Sequence, residues 1–478
     1  MAFLRVASRR LPLTRKFVPI IESPLQQRFA SAAAAQDVKS QAKREASLPN
    51  ADPAADSATV AFVQDRAPYM VPTYVRPAPM MVKGQGCYLW DMENRRYLDL
   101  TAGIAVNSLG HCDTEISQII AEQAETLIHA SNLYHNAWTG ALSKLLIEKT
   151  RESGAMRDAS QVFISNSGTE ANEAAMKFAR KVGKSLDPSG AKHEFVSFHN
   201  SFHGRTMGAL SATPNPKYQT PFSPMIPGFK YGNYNDVEQL QSLITEKTCG
   251  VIVEPIQGEG GVNVATPEFL TALRKRCDEV GAILIFDEIQ CGLSRTGTFW
   301  AHAHPSLALA SGEAAHPDIL TSAKALGNGV PIGATIVSGK TVAEHIKAGD
   351  HGTTFGGNPL VCRVAHNIVE RLAASELQNS VEAKSVELIS GLQALQKKYP
   401  GVISEIRGRG LILGAQLSQE YTSKASDLIT AARERGMLII TAGDGCLRFV
   451  PPLTITEDQI KTALKILEQA VEAVITKA

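Results

Sequence analysis

The sequence predicts an α/β fold, with a large domain on a mainly parallel sheet and a smaller α+β domain. Three observations carry that prediction. Short apolar runs alternate with helical patterns through the middle of the chain, each run leads into a polar or glycine-rich segment, and longer helical segments take over after about residue 357. With 478 residues, 44% apolar and 20% charged, the chain is long enough for two or more domains and a large core.

Residues 1–35 hold five Arg, one Lys and a single acid, Glu22. Arg-rich, Ser-containing and acid-poor, this segment reads as a mitochondrial transit peptide, and Arg9, Arg10, Arg15 and Lys16 break up any secretory h-region. The expected location is therefore the mitochondrial matrix. Without that segment 42 basic residues face 46 acidic ones, which argues against a nucleic-acid partner. No apolar run approaches the roughly 20 residues that cross a bilayer, so no membrane partner is expected. The seven cysteines are scattered, odd in number and free of any C-x-x-C pair, so neither a disulfide framework nor a metal site is expected.

Residues 36–62 lack apolar periodicity and read as a linker. In 63–114, "MVKGQGCYLWDMENRRYLDL" (81–100) suggests a hairpin turning near Glu93-Asn94, contributing to the small domain. The large domain, 115–356, contains strand candidates at 161–165, 194–198, 250–254, 282–286 and 334–338. The rest of the small domain, 357–478, carries "RGLILGAQL" (409–417) and "CLRFVPPL" (446–453).

In open α/β sheets ligands bind beyond the carboxyl ends of the strands, so the residues that follow each run matter most. After 161–165, Ser167 and Glu170 form an S-x-x-E capping box. Ser167, Gly168 and Thr169 then offer hydroxyls and helix-start N–H groups to a phosphate, or simply cap a helix. After 194–198 come Phe202, able to stack on a flat ring, His203, and Arg205, able to grip a carboxylate. Glu254 and Glu259 sit among glycines after the next run. Asp287 follows five apolar residues and needs a cationic or hydrogen-bonding partner unless it caps a turn. Lys324, between an apolar run and Gly-Asn-Gly, either snorkels from a helix end or lies in a cleft. Pyridoxal 5'-phosphate unites what these segments can recognise: an aldehyde, a phosphate, a flat ring and a ring nitrogen.

Seven motifs, from "GIAVNSLGHC" (103–112) through "NSGTEANEAA" (166–175), "FHGRT" (202–206), "EPIQGEGGV" (254–262), "DEIQCGLSRTG" (287–297) and "LTSAKALGNGVPIGA" (320–334) to "HGTTFGGNPL" (351–360), resemble the class III, fold-type-I aminotransferases in order. The resemblance covers roughly four-fifths of the chain. It implies a pyridoxal-phosphate enzyme in which Lys324 is the Schiff-base lysine and proton shuttle. Asp287 would pair with the ring nitrogen, Gln290 would lie near the ring hydroxyl, and Phe202 and Ile289 would cover the two ring faces. Ser167, Gly168 and Thr169 match the phosphate cup, while His203 and Glu254 fall among the cofactor-binding positions. Thr354 matches the residue that reaches the neighbouring subunit's phosphate, which implies a homodimer. For substrates, Arg205 matches the arginine for the remote carboxylate, and Arg448 the one for glutamate's α-carboxylate. Glu259 matches the acid that masks Arg448, and Thr353 stands at a substrate-facing position where Ser is usual. Within the family the likeness is greatest to members that interconvert N2-acetyl-L-ornithine plus 2-oxoglutarate and N-acetyl-L-glutamate 5-semialdehyde plus L-glutamate, in arginine biosynthesis. Ornithine, 4-aminobutyrate or succinylornithine transamination on the same scaffold is the alternative, although the ornithine-type tyrosine is missing at Gly103-Ile104. Decarboxylases and aminomutases share the scaffold, but Arg205, Glu259 and Arg448 favour transamination. A non-catalytic cofactor-binding scaffold is disfavoured by Lys324 and Asp287.

Overall fold

The computed structural model describes residues 48–476, and the transit-peptide segment lies outside the described residues. Residues 52–80 form one compact unit, and residues 81–476 with 49–51 form another. In the first, a helix spans Ala58–Arg66 and overlaps the stretch that reads as a linker. It is started by a cap rather than by an amphipathic period, since the Ser57 hydroxyl accepts from the Val60 N–H.

The larger unit is organised by a seven-stranded sheet. Across the sheet the strands run Ala159–Ser165, Gly333–Ser338, Ile319–Ser322, Ile283–Asp287, Thr248–Val253, Glu194–Phe198 and Phe229–Gly232. The last five pair in parallel, whereas Gly333–Ser338 runs antiparallel to both its neighbours. Two strands have no counterpart in the apolar runs. Ile319–Ser322 is four residues long and half hydroxylic, and Phe229–Gly232 is a half-buried edge strand. Both owe their conformation to pairing in the sheet, not to their own pattern.

Both faces of the sheet are covered. Along Ile283–Asp287, Leu284 and Phe286 pack with Phe269, Leu270 and Leu273 of the Pro267–Val280 helix. Ile283 and Ile285 point the other way, to Ala174, Ala175, Phe178 and Val182 of the Gly168–Leu186 helix. That alternation is the period of two of a strand. Each fully buried Ile, Leu or Phe is worth about 1.5–3 kcal/mol.

Met81–Gln85, Tyr88–Asp91 and Arg96–Asp99 form an antiparallel meander, with Met437–Leu438 added in parallel at its edge. Its second turn contains Asn94 at φ 60°, at the predicted hairpin turn, and its first turn, at Gly86, adds a strand. A third sheet orders Ile403–Arg409, Ile412–Leu417, Cys446–Phe449 and Ile440–Ala442. No helix among the described residues is long and apolar enough to cross a membrane. All seven cysteines are free, and no metal-ligand cluster occurs among the described residues.

Candidate active site

The central strands of the large sheet end at one edge, so the segments after Ser165, Phe198, Val253, Asp287 and Ser322 converge there. They enclose a cavity of about 410 Å³, lined by eleven of the predicted residues: Ser167, Gly168, Thr169, Phe202, His203, Arg205, Glu254, Asp287, Ile289, Gln290 and Lys324.

Asp287 closes its strand as a buried carboxylate. One oxygen accepts from the Asn172 amide and from His203 Nδ1, both at 2.8 Å. The other accepts from the Ile289 N–H at 3.1 Å, which leaves a lone pair on that oxygen toward the cavity. Asn172 is itself locked, donating to the His203 carbonyl and accepting from the Thr321 hydroxyl, both at 2.8 Å. Neither Asn172 nor Thr321 is identified from the sequence. A polar residue on the apolar face that also carries Ala171, Ala174, Ala175 and Phe178 is the signal for Asn172. Thr321 has none, because its partner is 149 residues away in sequence.

At the first turn of the 19-residue Gly168–Leu186 helix, the Ser167 hydroxyl accepts from the Glu170 N–H. The Glu170 carboxylate returns to the Asn166 N–H at 2.6 Å, one residue earlier than a reciprocal capping box requires. Gly168 leaves room for the Ile289 side chain, since a Cβ would lie 2.9 Å from Ile289 Cδ1 and that side chain would have to shift. Gly204, at φ 141°, lets the chain pass where a Cβ would collide with the Thr169 hydroxyl.

Lys324 begins a single 3-10 turn with φ 39°, a left-handed conformation that a side-chain-bearing residue adopts at a cost. Burial, followed by the charge of Arg448, holds its amine below the usual lysine range, with Asp287, Glu254 and Glu259 opposing. Glu254 behaves oppositely: burial and then Asp287 push its carboxyl well above the ordinary range. One Glu254 oxygen accepts from the Phe202 N–H at 3.1 Å.

Four predicted residues lie outside the cavity lining. Arg448, 1% exposed, donates to Gln290 Oε1 and to Glu259 Oε2, both at 2.9 Å, so Gln290 links this pair to the cavity. The Thr353 hydroxyl accepts from Asn166, which lines the cavity, and Thr354 lies exposed beside it.

The donor set fits pyridoxal phosphate. Helix-start N–H groups with no carbonyl four residues back stand at Gly168 and Thr169. Phe202 and Ile289 both line the cavity, a buried carboxylate retains a free lone pair, and a lysine of lowered basicity shares the cavity.

The family model "Aminotransferase class-III" matches residues 70–471. The chain belongs to the class-III aminotransferases. This class-III aminotransferase is 64% identical over 431 residues to the mitochondrial acetylornithine aminotransferase of Neurospora crassa, covering 90% of this chain and 91% of that one. Its fold superposes with TM-score 0.73 on N-acetylornithine aminotransferase from Stenotrophomonas maltophilia K279a, at 36% identity, covering 87% of this chain and all of the other. The ornithine aminotransferase from Toxoplasma gondii, a structure with partial occupancy of PLP at the active site, matches with TM-score 0.77 and 32% identity, covering 87% and 95%.

Proposed function

We propose that this class-III aminotransferase interconverts N2-acetyl-L-ornithine plus 2-oxoglutarate and N-acetyl-L-glutamate 5-semialdehyde plus L-glutamate, with pyridoxal phosphate, in the mitochondrial matrix. The reaction belongs to arginine biosynthesis. The observation that carries this reading is one cavity holding Lys324, Asp287 and Arg205, with the Arg448–Glu259 pair joined to it through Gln290. The relative from Neurospora crassa, named a mitochondrial acetylornithine aminotransferase, supports both the substrate and the location.

Pyridoxal phosphate supplies an aldehyde that takes up a primary amine and a ring that accepts the electron pair left by a broken C–H bond. Gly168 and Thr169 N–H groups, with the Ser167 and Thr169 hydroxyls, would hold its phosphate, and Phe202 and Ile289 would hold the ring. The Asp287 carboxylate would keep a proton on the ring nitrogen, and His203 and Asn172 orient that carboxylate. Gln290 and Glu254 would help to hold the ring. Lys324 Nζ would be the amine that holds the cofactor's aldehyde and, when free, the base that would take a proton from the substrate carbon and give it back. Its lowered basicity favours the neutral, proton-accepting form of the amine.

Both substrates bring a carboxylate remote from the reacting amine, which Arg205 receives. Glutamate adds a second carboxylate beside that amine, which Arg448 receives once Glu259 withdraws. Acetylornithine has none there, and Glu259 then spares Arg448 from being buried unpaired. Thr353 borders the same region through Asn166.

The enzyme acts as a homodimer. Leu127, Ile128, Leu133, Tyr134 and Phe355 are exposed apolar side chains, and the Phe355 ring lies 5.6 Å from His129. The Asn132 amide meets the Thr353 carbonyl, so this apolar surface adjoins the site. Such a patch is the usual mark of an interface, and Thr354 within it would reach the other subunit's phosphate.

The deciding experiment mixes the pyridoxal form with N-acetylornithine, ornithine, succinylornithine or 4-aminobutyrate and follows the loss of cofactor absorbance in single half-reactions. Fastest loss with N-acetylornithine supports the assignment; a faster reaction with another amine moves the enzyme to that substrate. No half-reaction with any amine makes the chain a non-catalytic binder.

A further inference from the structure

The geometry points to Tyr218 as the positioning residue that holds Arg205 open for a planar carboxylate, and so as a determinant of substrate affinity. This rests on the reading of Arg205 given above. The Arg205 guanidinium makes no ion pair or side-chain hydrogen bond among the described residues, although it lines the cavity. Instead its central carbon lies 3.9 Å from the centroid of the Tyr218 ring and 5.3 Å from that of Phe202. The two rings meet edge to face, 6.1 Å apart at 84°. An arginine held by its flat face keeps its N–H edge free, and that edge is what a carboxylate grips in a bidentate fork. An acid in Tyr218's place would hold the same side chain but occupy the fork.

Tyr218 is well placed for this task. It lies in the Pro216–Gln219 turn, where the Asn215 side chain accepts from the Lys217 N–H at 3.0 Å and the Tyr218 N–H donates to the Asn215 carbonyl at 2.9 Å. Gln219 ties the turn to the Leu210 carbonyl and the Tyr231 hydroxyl at 3.0 and 3.3 Å. At the other end, the Arg205 N–H donates to the Thr169 hydroxyl at 3.2 Å. Both partners of the stack are thus anchored by their backbones. The Tyr218 hydroxyl makes no hydrogen bond among the described residues, so the ring face alone carries the effect.

The test compares holoenzymes carrying Y218F, Y218L and R205A. The readouts are KM and kcat for N-acetylornithine and for 2-oxoglutarate, and inhibition by glutarate, a dicarboxylate with no amine to react. Y218F keeps wild-type constants. Y218L raises both KM values and the glutarate inhibition constant by about 2- to 30-fold, with kcat changed less, because the cation–ring contact orders Arg205 in the free and bound enzyme alike. R205A weakens all three at least as much. Wild-type glutarate inhibition in Y218L together with weakened inhibition in R205A overturns the role of Tyr218 and leaves that of Arg205 intact. Unchanged inhibition in R205A overturns the reading of Arg205 itself, and this inference with it. The cofactor spectrum and melting temperature establish that each variant is folded, and Y218M replaces Y218L if the latter is not.

Discussion

His203 and Asp287, 84 residues apart in sequence, meet through a 2.8 Å hydrogen bond between two buried side chains. The contact occupies the same carboxylate oxygen as Asn172 does and leaves the other oxygen to the cavity. The carboxylate is thereby oriented before any cofactor binds, so orienting it costs little at the moment of binding.

Replacing Asp287 with Ala should remove a buried charge partner worth about 3 kcal/mol, and weaken cofactor retention on the order of a hundredfold. Equilibrium titration of the apoprotein with pyridoxal phosphate reads this directly, and wild-type affinity in the variant would remove Asp287 from the cofactor site.

Lys324→Ala should lower turnover by about 10³-fold or more, because proton transfer at the substrate carbon loses its only proposed carrier. A chemical readout accompanies it. Borohydride reduction should leave a reduced phosphopyridoxyl group on the Lys324 peptide of the wild type, a gain of the cofactor's mass less one water plus two hydrogens, and leave the variant's peptide unchanged. Labelling of another lysine in the wild type would contradict the assignment.

Glu254 gives a pH prediction. Its carboxyl titrates well above its ordinary value of 4.5 in the folded chain, through burial and the neighbouring Asp287. The folded state therefore holds that proton more tightly than the unfolded state does. The stability this contributes is complete below pH 4.5 and is lost as the pH rises toward and through the folded value. Glu254→Gln keeps an acceptor for the Phe202 N–H and has no proton to lose. The variant apoprotein should melt higher than wild type at pH 7–8, with the gain disappearing as the pH approaches 4.5. A constant difference in melting temperature across that range would show that Glu254 does not titrate as described.

For the Arg448–Glu259 pair, Glu259→Gln should shift the ratio of kcat/KM for glutamate over that for N-acetylornithine about tenfold toward glutamate, equivalent to ~1.4 kcal/mol. The neutral amide no longer competes for Arg448 when glutamate binds, and no longer neutralises it when acetylornithine does. Stopped-flow half-reactions with each amine separate the two effects; a ratio equal to that of wild type would leave Glu259 without a selective role.

Many of the candidate residues could be picked out from the chain because they follow a short apolar run. Strand length, the capping serine at 167 and the glycines at 168 and 204 announce a strand end, a helix start and a close approach, all set by neighbours in sequence. Asn172, Thr321 and Tyr218 were not readable in the same way. Each acts through a partner from a different element; Asn172 carries a local sign as a polar residue on an apolar helix face, and nothing nearby marks out Thr321 or Tyr218. The strand Ile319–Ser322 was hidden for the same reason, since its Thr and Ser are buried by the sheet and not by their own hydrophobicity.

The sequence by itself therefore determined the α/β class and five of the seven strands of the large sheet, because these depend on local period and residue type. Only the tertiary structure decided other meetings: Asp287 with His203 and Asn172, Arg448 with Gln290, Arg205 with Tyr218. The physical reason is that a parallel sheet aligns strand ends that lie tens to hundreds of residues apart, and the burial that tunes Lys324 and Glu254 exists only once those ends have closed around one cavity.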